Sequence, residues 1–429
     1  MSKVFKIIPT TQHYDWGKHG HLSKVYQLAV SSQIPAFQQL DESKPYAELW
    51  MGTHPTSPSH VLCSSSSSPP KLSDYLKDHP DLVGKAVADK FSDGSEGNLP
   101  FLFKVLSIQK ALSIQTHPDK PTAEKLHAER PDIYKDPHHK PELALALTPF
   151  RALCGFQALP KIAINLQNSP ELTSLIPPTI LDVFRQAAQT NGDGGGCTPE
   201  AKQALRDLFA AIMTAPKGDI TNAVRKLVER YQTDSTEVPI ERALVLRLNE
   251  QFPDDIGVLC VFLLNHVTLQ PGEAIFLSAG EPHAYVEGDI IECMANSDNV
   301  IRAGLTPKLI DVPNLVAGLT YVPDEPERHR VIPTSFPASS ESLNSKLYDP
   351  PIDEFSVVQI KLQNTEETHP PISGPSIVVV VQGMGRVQWQ GDSLDIKCGD
   401  VFFIGAETSV NFGVEGEQEL VMYRAYVAA

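Results

Sequence analysis

No stretch of this 429-residue chain is apolar for long enough to cross a bilayer. The longest candidate, Val258–Leu264, falls far short of the ~20 residues that a helical span needs. The opening MSKVFKIIPT has neither an apolar signal core nor the Arg/Ser richness of a transit sequence, so a cytoplasmic protein is expected. Cysteine is sparse and scattered: the six residues at 63, 154, 197, 260, 293 and 398 form no CxxC pair. That pattern fits reduced thiols acting as small buried side chains. Positive charge is in deficit, with a formal net charge of −16. Nucleic acid and anionic membrane surfaces are therefore not expected partners, and an anionic small molecule would need a locally positive pocket.

What remains is ordinary globular composition, 41% hydrophobic and 21% charged, in a chain long enough for two or three domains. With 36 prolines against 26 glycines, many short elements joined by turns are expected. Pro100–Leu106 and Leu112–His117 read as neighbouring strands with a turn inside Ser107–Ala111. CSSSSSPP at Cys63–Pro70 reads as a solvated loop, and Asp193–Gly196 as a linker. From about Pro160 the texture turns helical. Thr198 can cap a helix with Pro199 in its first turn, followed by an apolar stripe from Ala201 to Met213. A second stripe runs from Ile220 to Tyr231, and a third helix is expected over Pro239–Gln251. Strand texture returns in Val267–Leu277, Ser376–Val381 and Lys397–Gly405, and Asp324–Pro337 reads as an interdomain linker.

Gly272–His283 (GEAIFLSAGEPH) and Gly399–Val410 (GDVFFIGAETSV) share a pattern: Gly-acid, an apolar run, then a turn. The first resembles the second motif of the cupins, G-x5-P-x-G-x2-H, with Ser278 in the Pro place and His283 in the His place. In the second copy Val410 takes the His place, so two cupin-like barrels are expected, only the first able to bind metal. Gln115 and His117 lie two apart on one strand face, like a cupin HxH motif with Gln first. Glu142, in HHKPELALAL, is the nearest carboxylate in strand context, after an inserted loop and short helix. Gln115, His117, Glu142 and His283 together suit a borderline divalent ion such as zinc.

Longer runs carry a more specific likeness. YDWG (Tyr14–Gly17), YAELWMGTHP (Tyr46–Pro55), PFLFKVLSIQKALSIQTHPDK (Pro100–Lys120), HKPELALAL (His139–Leu147) and GEPHAYVEGDIIECMANSDNVIRAGLTPK (Gly280–Lys308) resemble the type I mannose-6-phosphate isomerases. The resemblance implies one zinc ion per chain on those same four residues. It also implies interconversion of mannose 6-phosphate and fructose 6-phosphate in the cytoplasm, feeding GDP-mannose and glycosylation. Arg302 would be the active-site arginine. The expected fold is mainly β with a helical insert, two cupin-like jelly-roll barrels plus an all-α domain. Residues 1–156 and 257–325 would form the catalytic barrel, 157–256 the helical insert, and 326–429 a C-terminal barrel without metal ligands. A monomer is expected.

Such an isomerase must open the sugar ring, move a proton between C1 and C2, and stabilise an enediolate. A planar, permanently charged guanidinium such as Arg302 suits that charge. Lys140 and Asp298 are the candidate proton-transfer groups. Lys308 and Ser113 are the first candidates for the phosphate, with Lys104 in the same motifs and His54 and Trp16 near the pocket. Two other readings compete. His117, Glu142 and His283 alone would suit a non-haem Fe(II) oxygenase, but Gln115 as a fourth ligand removes an open position. A sugar-phosphate sensor without turnover is the other, disfavoured by the complete ligand set beside Arg302 and Lys308.

Overall fold

The computed structural model describes all residues except 1, 63–67, 191–196, 234–239, 338–343 and 415–417, and the side chains of 92–93. The Asp193–Gly196 linker and most of the Ser-rich loop lie outside the described residues. The architecture is mainly β with a helical insertion. Nine strands position the site: β1 (Glu48–Met51), β2 (Phe101–Ile108), β3 (Ile114–Thr116), β4 (Glu142–Ala146), β5 (Phe150–Phe156), β6 (Leu264–Leu269), β7 (Ala274–Leu277), β8 (His283–Ala295) and β9 (Ile301–Gly304). They belong to one 11-stranded sheet. Its organising member is the 13-residue β8, which pairs antiparallel with β2, β3, β4 and β5.

The expected adjacency of Pro100–Leu106 and Leu112–His117 is not found. β2 lies along the C-terminal part of β8, while β3 meets β8 only at its start, where Gln115 faces His283. The β2 strand also runs on to Ile108, so the connection is later than Ser107. The reason is that β8 is long enough to serve both strands end to end. Likewise Val267–Leu277 is two strands, split at Gly272, whose φ of +89° a side chain would resist.

Side-chain alternation gives the sheet two unlike faces. Leu49, Met51, Phe103, Val105, Leu143, Leu145, Ile291 and Cys293 point to one side, into a core shared with Val357, Val379, Phe403 and Tyr423 of a second sheet. The alternate residues Trp50, Lys104, Glu142, Glu292 and Met294 face a cavity. The second sheet has eight strands and includes Val4–Ile8, paired with Val401–Ile404. The chain's first strand is thus built into the sheet of its last hundred residues. In return Arg330–Val331, from the expected linker, pairs with Ala274–Ile275. The opposite face of the second sheet packs Val358, Val378 and Phe402 against Val387, Val410 and Phe412 of a four-stranded sheet.

The two motif copies fold alike. Gly272 and Gly399 have φ of +89° and +90°, followed by strands Ala274–Leu277 and Val401–Ile404. Gly280 and Glu407 both take positive φ, and strands begin at His283 and Val410.

Helices make up most of the described residues between 159 and 251. Thr198 caps Pro199–Met213 by accepting from the Ala201 amide. Lys217–Thr233 and Ile240–Gln251 follow, the former starting three residues before its apolar stripe. Helices Leu159–Asn168, Pro170–Thr173 and Pro178–Thr190 precede them. Phe209 joins this layer to the sheet: its ring packs edge-on against Phe156 at 5.5 Å and near Tyr321 at 6.3 Å. Phe209→Ala should therefore cost about 3–5 kcal/mol, read as a lowered midpoint in chemical denaturation. A loss below about 1 kcal/mol would mean the helical layer is not anchored there.

Candidate metal centre and the cavity above it

Three strands bring the acid and the imidazoles together. His117 follows β3, Glu142 begins β4 and His283 begins β8. One nitrogen or oxygen from each lies within 4.8 Å of the others, and all three side chains are buried. Glu142 Oε1 is 3.2 Å from His117 Nε2, and Oε2 is 3.5 Å from His283 Nε2. Gln115, whose strand pairs it with His283 on one side and with Arg302 on the other, shares their cross-strand position.

The imidazole tautomers follow from their far nitrogens. His117 Nδ1 lies 2.7 Å from the Asn299 carbonyl and His283 Nδ1 lies 2.9 Å from the Glu281 carbonyl. A carbonyl can only accept, so each Nδ1 carries the proton. Burial brings the His117 pKa down to about 4, so that ring is neutral and its Nε2 presents a lone pair. Neither Nε2 has a hydrogen-bond partner. Burial opposes ionisation of Glu142, yet Lys140 at 3.4 Å helps to hold the carboxyl well below its ordinary range. Lone pairs and a carboxylate aimed at one another are mutually repulsive in a dry site. A divalent cation among them resolves the conflict, and the donor set, two imidazoles and a carboxylate beside an amide oxygen, is one that zinc accepts.

Each carbonyl that orients an imidazole is itself held. Asp136 accepts from Ser297 Oγ at 2.7 Å and from the Asp298 amide at 2.8 Å. Asn299 Nδ2 donates to the Asp136 carbonyl at 2.6 Å. Such outer partners fix ligand orientation.

Above the centre lies a cavity of about 1170 Å³ between the sheet and the helical layer. Gln115, Glu142, Arg302, Lys140, Asp298, Ser113 and Lys308 all line it, as do Trp16 and His54. The structure thus brings every predicted cavity residue to one place, with His117 and His283 buried alongside. The cations differ in their commitments. Lys140 pairs with Glu142, and Arg225 is clamped by Asp254. Among the described residues, Arg302, Lys308 and Lys217 have no acidic partner within 4.0 Å. Burial pulls the Arg302 pKa downward from its ordinary value, the direction expected of a partly desolvated guanidinium awaiting an anion. Asp298 is half-exposed, with His54 Nε2 3.4 Å from Oδ1, and that contact lowers its pKa.

Sequence reasoning missed a buried charge network on the cavity floor. Lys104 Nζ lies 2.8 Å from Glu292 and 3.9 Å from Glu48, and stands 5.3 Å from the Trp50 ring centroid. Lys104 is therefore committed to carboxylates rather than available to a phosphate. Tyr285 adds a hydroxyl donating to Glu142 Oε2 at 3.2 Å. The signal was present as charged residues inside apolar strands (AELWM, PFLFKVL, DIIECMA) at spacings that alternate with the core positions. Lys217 gave less warning, since a lysine at a helix start is usually solvated.

Sequence models of three type I phosphomannose isomerase regions match the chain: the catalytic domain over residues 4–159, the helical insertion domain over 176–264 and the C-terminal region over 345–392. A mannose-6-phosphate isomerase of Cryptococcus neoformans is 48% identical, spanning 99% of this chain and 99% of its own. That of Saccharomyces cerevisiae is 43% identical with the same coverage. A zinc-bound crystal structure of a mannose 6-phosphate isomerase is similar with a TM-score of 0.80 at 31% identity, covering 100% of both chains. A point mutant of phosphomannose isomerase from Salmonella typhimurium gives 0.81 at 31%, again covering 100% of both.

The floor network predicts a pH-dependent defect. For Glu292, burial raises the pKa and Lys104 opposes the rise, so Lys104→Met should raise it further. A carboxyl whose folded-state pKa is raised costs nothing below its unfolded pKa; the cost grows as pH rises from there and is complete above the raised folded value. Lys104→Met should thus cost about 3–5 kcal/mol near pH 8, and visibly less near pH 5, by urea denaturation. An equal cost at both values would refute the uncompensated-carboxylate account.

Proposed function

The chain belongs to the type I phosphomannose isomerase family and is an aldose–ketose isomerase, and on that premise we propose that it interconverts mannose 6-phosphate and fructose 6-phosphate through an enediol. The observation that carries this reading is the pair of unpartnered Nε2 atoms converging on a buried carboxylate. We assign Gln115, His117, Glu142 and His283 as ligands of one zinc ion per chain. Zinc there would supply Lewis acidity towards the substrate oxygens without redox chemistry, its charge only half neutralised by one carboxylate.

The remaining roles fall to the cavity residues. Arg302 holds the negative charge that develops on the enediolate oxygens, because its guanidinium has no acid to neutralise it and faces Gln115 across the strands. Asp298 takes the proton between C1 and C2: it is ionised, aimed by His54, and not committed to a lysine or arginine. Lys140 donates from Nζ to a substrate oxygen, being a largely buried ammonium next to Glu142. Lys308 and Ser113 hold the phosphate, and Lys217 from the helical layer supplies a further cation. In a chain of net charge −16, the attraction for a phosphate ester is local, from the cavity cations Arg302, Lys308 and Lys217 that no acid among the described residues neutralises.

We further propose that the product feeds GDP-mannose synthesis and glycosylation, and that the protein works as a cytoplasmic monomer. The division into a catalytic cupin-like barrel (1–156 with 257–325), a helical insert (157–256) and a second barrel without metal ligands (326–429) belongs to the same reading, with Val4–Ile8 and Arg330–Val331 exchanged between the two sheets. The matching backbone of the two motif copies supports it.

The test is a coupled assay of mannose 6-phosphate turnover on the protein as isolated, after chelation and after zinc is restored. Activity should vanish with the metal and return with zinc. Arg302→Ala should lower kcat by about 10²–10³ with a smaller effect on KM. Asp298→Asn should lower kcat by about 10²–10⁴. Turnover that survives chelation, or an Arg302→Ala variant with unchanged kcat, would overturn these assignments.

A further inference from the structure

One turn touches both imidazole-bearing residues of the centre, His117 at its main-chain carbonyl and His283 at its ring. In Ser278–Glu281 the Gly280 amide donates to the His117 carbonyl at 2.9 Å, and the Glu281 carbonyl takes the proton of His283 Nδ1 at 2.9 Å. A displacement of this turn therefore moves both residues at once. The turn is held from outside by a segment of the chain that contributes nothing to the cavity floor. Gly280 accepts from the Thr320 amide at 3.0 Å. Thr320 Oγ1 donates to Glu281 Oε1 at 2.8 Å, and Arg328 Nη2 donates to the same oxygen at 3.2 Å.

This arrangement has features of a built unit. The Glu281 carboxylate is fully buried, and burial raises its pKa against the pull of Arg328. A buried carboxylate is costly unless it is paired, and Arg328 pairs it from the surface side. Arg328 is fixed in turn, Nη1 donating to the Val322 carbonyl at 3.2 Å. On the inner side the Gly155 amide of β5 donates to the Pro282 carbonyl at 2.8 Å. A Cβ on Gly155 would stand 2.4 Å from His329 Nε2 and 3.3 Å from Glu281 Oε2, so glycine is needed here chiefly to make room for His329 beside the turn.

We propose that Glu281, clamped by Thr320 and Arg328, is a positioning residue that sets the metal affinity of the centre by fixing the orientation of His117 and His283. The mechanism is preorganisation: without the clamp, the turn samples positions in which the two Nε2 lone pairs diverge, and binding must pay to realign them. The inference rests on the zinc reading above. It assigns to the stretch after residue 318 a task at the centre that its distance in sequence conceals.

The experiment measures zinc dissociation constants by competition with a chromophoric chelator for the full-length protein and for Glu281→Gln, Thr320→Val, Arg328→Met and Arg328→Lys. Far-UV spectra and thermal midpoints of the metal-free proteins are recorded alongside. Glu281→Gln and Arg328→Met should weaken zinc binding by about 10–100-fold, with Arg328→Lys recovering part of the loss. Arg330→Met is the control, because it breaks a neighbouring ion pair with Glu273 that does not touch the turn, and its zinc affinity should match the parent. If Glu281→Gln fails to fold, Arg328→Met and Thr320→Val carry the test from the surface side. Folded clamp variants with parental zinc affinity would overturn the proposal, as would an equal loss in Arg330→Met. A His283→Ala variant that still binds zinc with parental affinity would instead overturn the ligand assignment itself.

Discussion

A carboxylate buried between two imidazole lone pairs is the constraint around which the site is arranged. Left alone, Glu142 facing His117 and His283 would combine desolvation with repulsion. Everything nearby either presents those donors in fixed directions or balances their charge. The Nδ1 protons go to main-chain carbonyls, which cannot rotate away as side chains can. Lys140 stands on the open side of Glu142, and Tyr285 donates to its second oxygen. The supporting contacts reach across the sequence: Asp136 holds one carbonyl-bearing loop, while Glu281 lies in the other.

That constraint is compatible with a stable fold because a strand shows its side chains to alternate sides. Lys104 and Glu292 can be buried charges in strands whose neighbouring residues, Phe103, Val105, Ile291 and Cys293, are fully apolar core. The sheet packs its apolar face against the C-terminal sheet and turns its polar face to the cavity. The helical layer then covers the cavity and adds Lys217, so the insertion is part of the chemical environment as well as a structural addition.

How much of this was legible varied with the kind of signal. Three of the four proposed ligands, Gln115, His117 and His283, were readable because a strand period of two and a glycine-bounded hairpin are local patterns, whereas Glu142 was reached only as the nearest carboxylate in strand context. The helices of residues 199–251 were readable for the same reason, from their apolar stripes and the Thr198 cap. Strand partners were not: nothing in PFLFKVL or ALSIQTH reveals that each pairs with a different part of one 13-residue strand. Nor could the exchange of Val4–Ile8 and Arg330–Val331 between sheets be read, since pairing across hundreds of residues leaves no trace in either segment. The Lys104 network was in view but misread, because a lysine in an apolar strand was weighed for a phosphate before it was weighed against the glutamates on neighbouring strands.

The C-terminal half offers a contrast that explains why a repeated motif need not repeat its chemistry. Val410 stands where the first copy has His283, and the strand beside it places His369 directly opposite. His369 Nδ1 is 3.2 Å from Arg424 Nη1, and its Nε2 is 3.1 Å from Ser345 Oγ, which donates to Glu367 at 2.6 Å. Arg424 also donates to Ser376 and is fully buried, which brings its pKa down to about 10 and still leaves it charged at neutral pH. Here the cation facing the imidazole and, through Ser345, the carboxylate belongs to the chain itself. A guanidinium is part of the chain and presents its donors in a rigid fork, so it cannot exchange ligands as a bound metal ion can. The same hairpin thus supports two arrangements of buried polar groups: one is balanced by a guanidinium of the chain itself, and the other turns two imidazoles and a carboxylate towards one another.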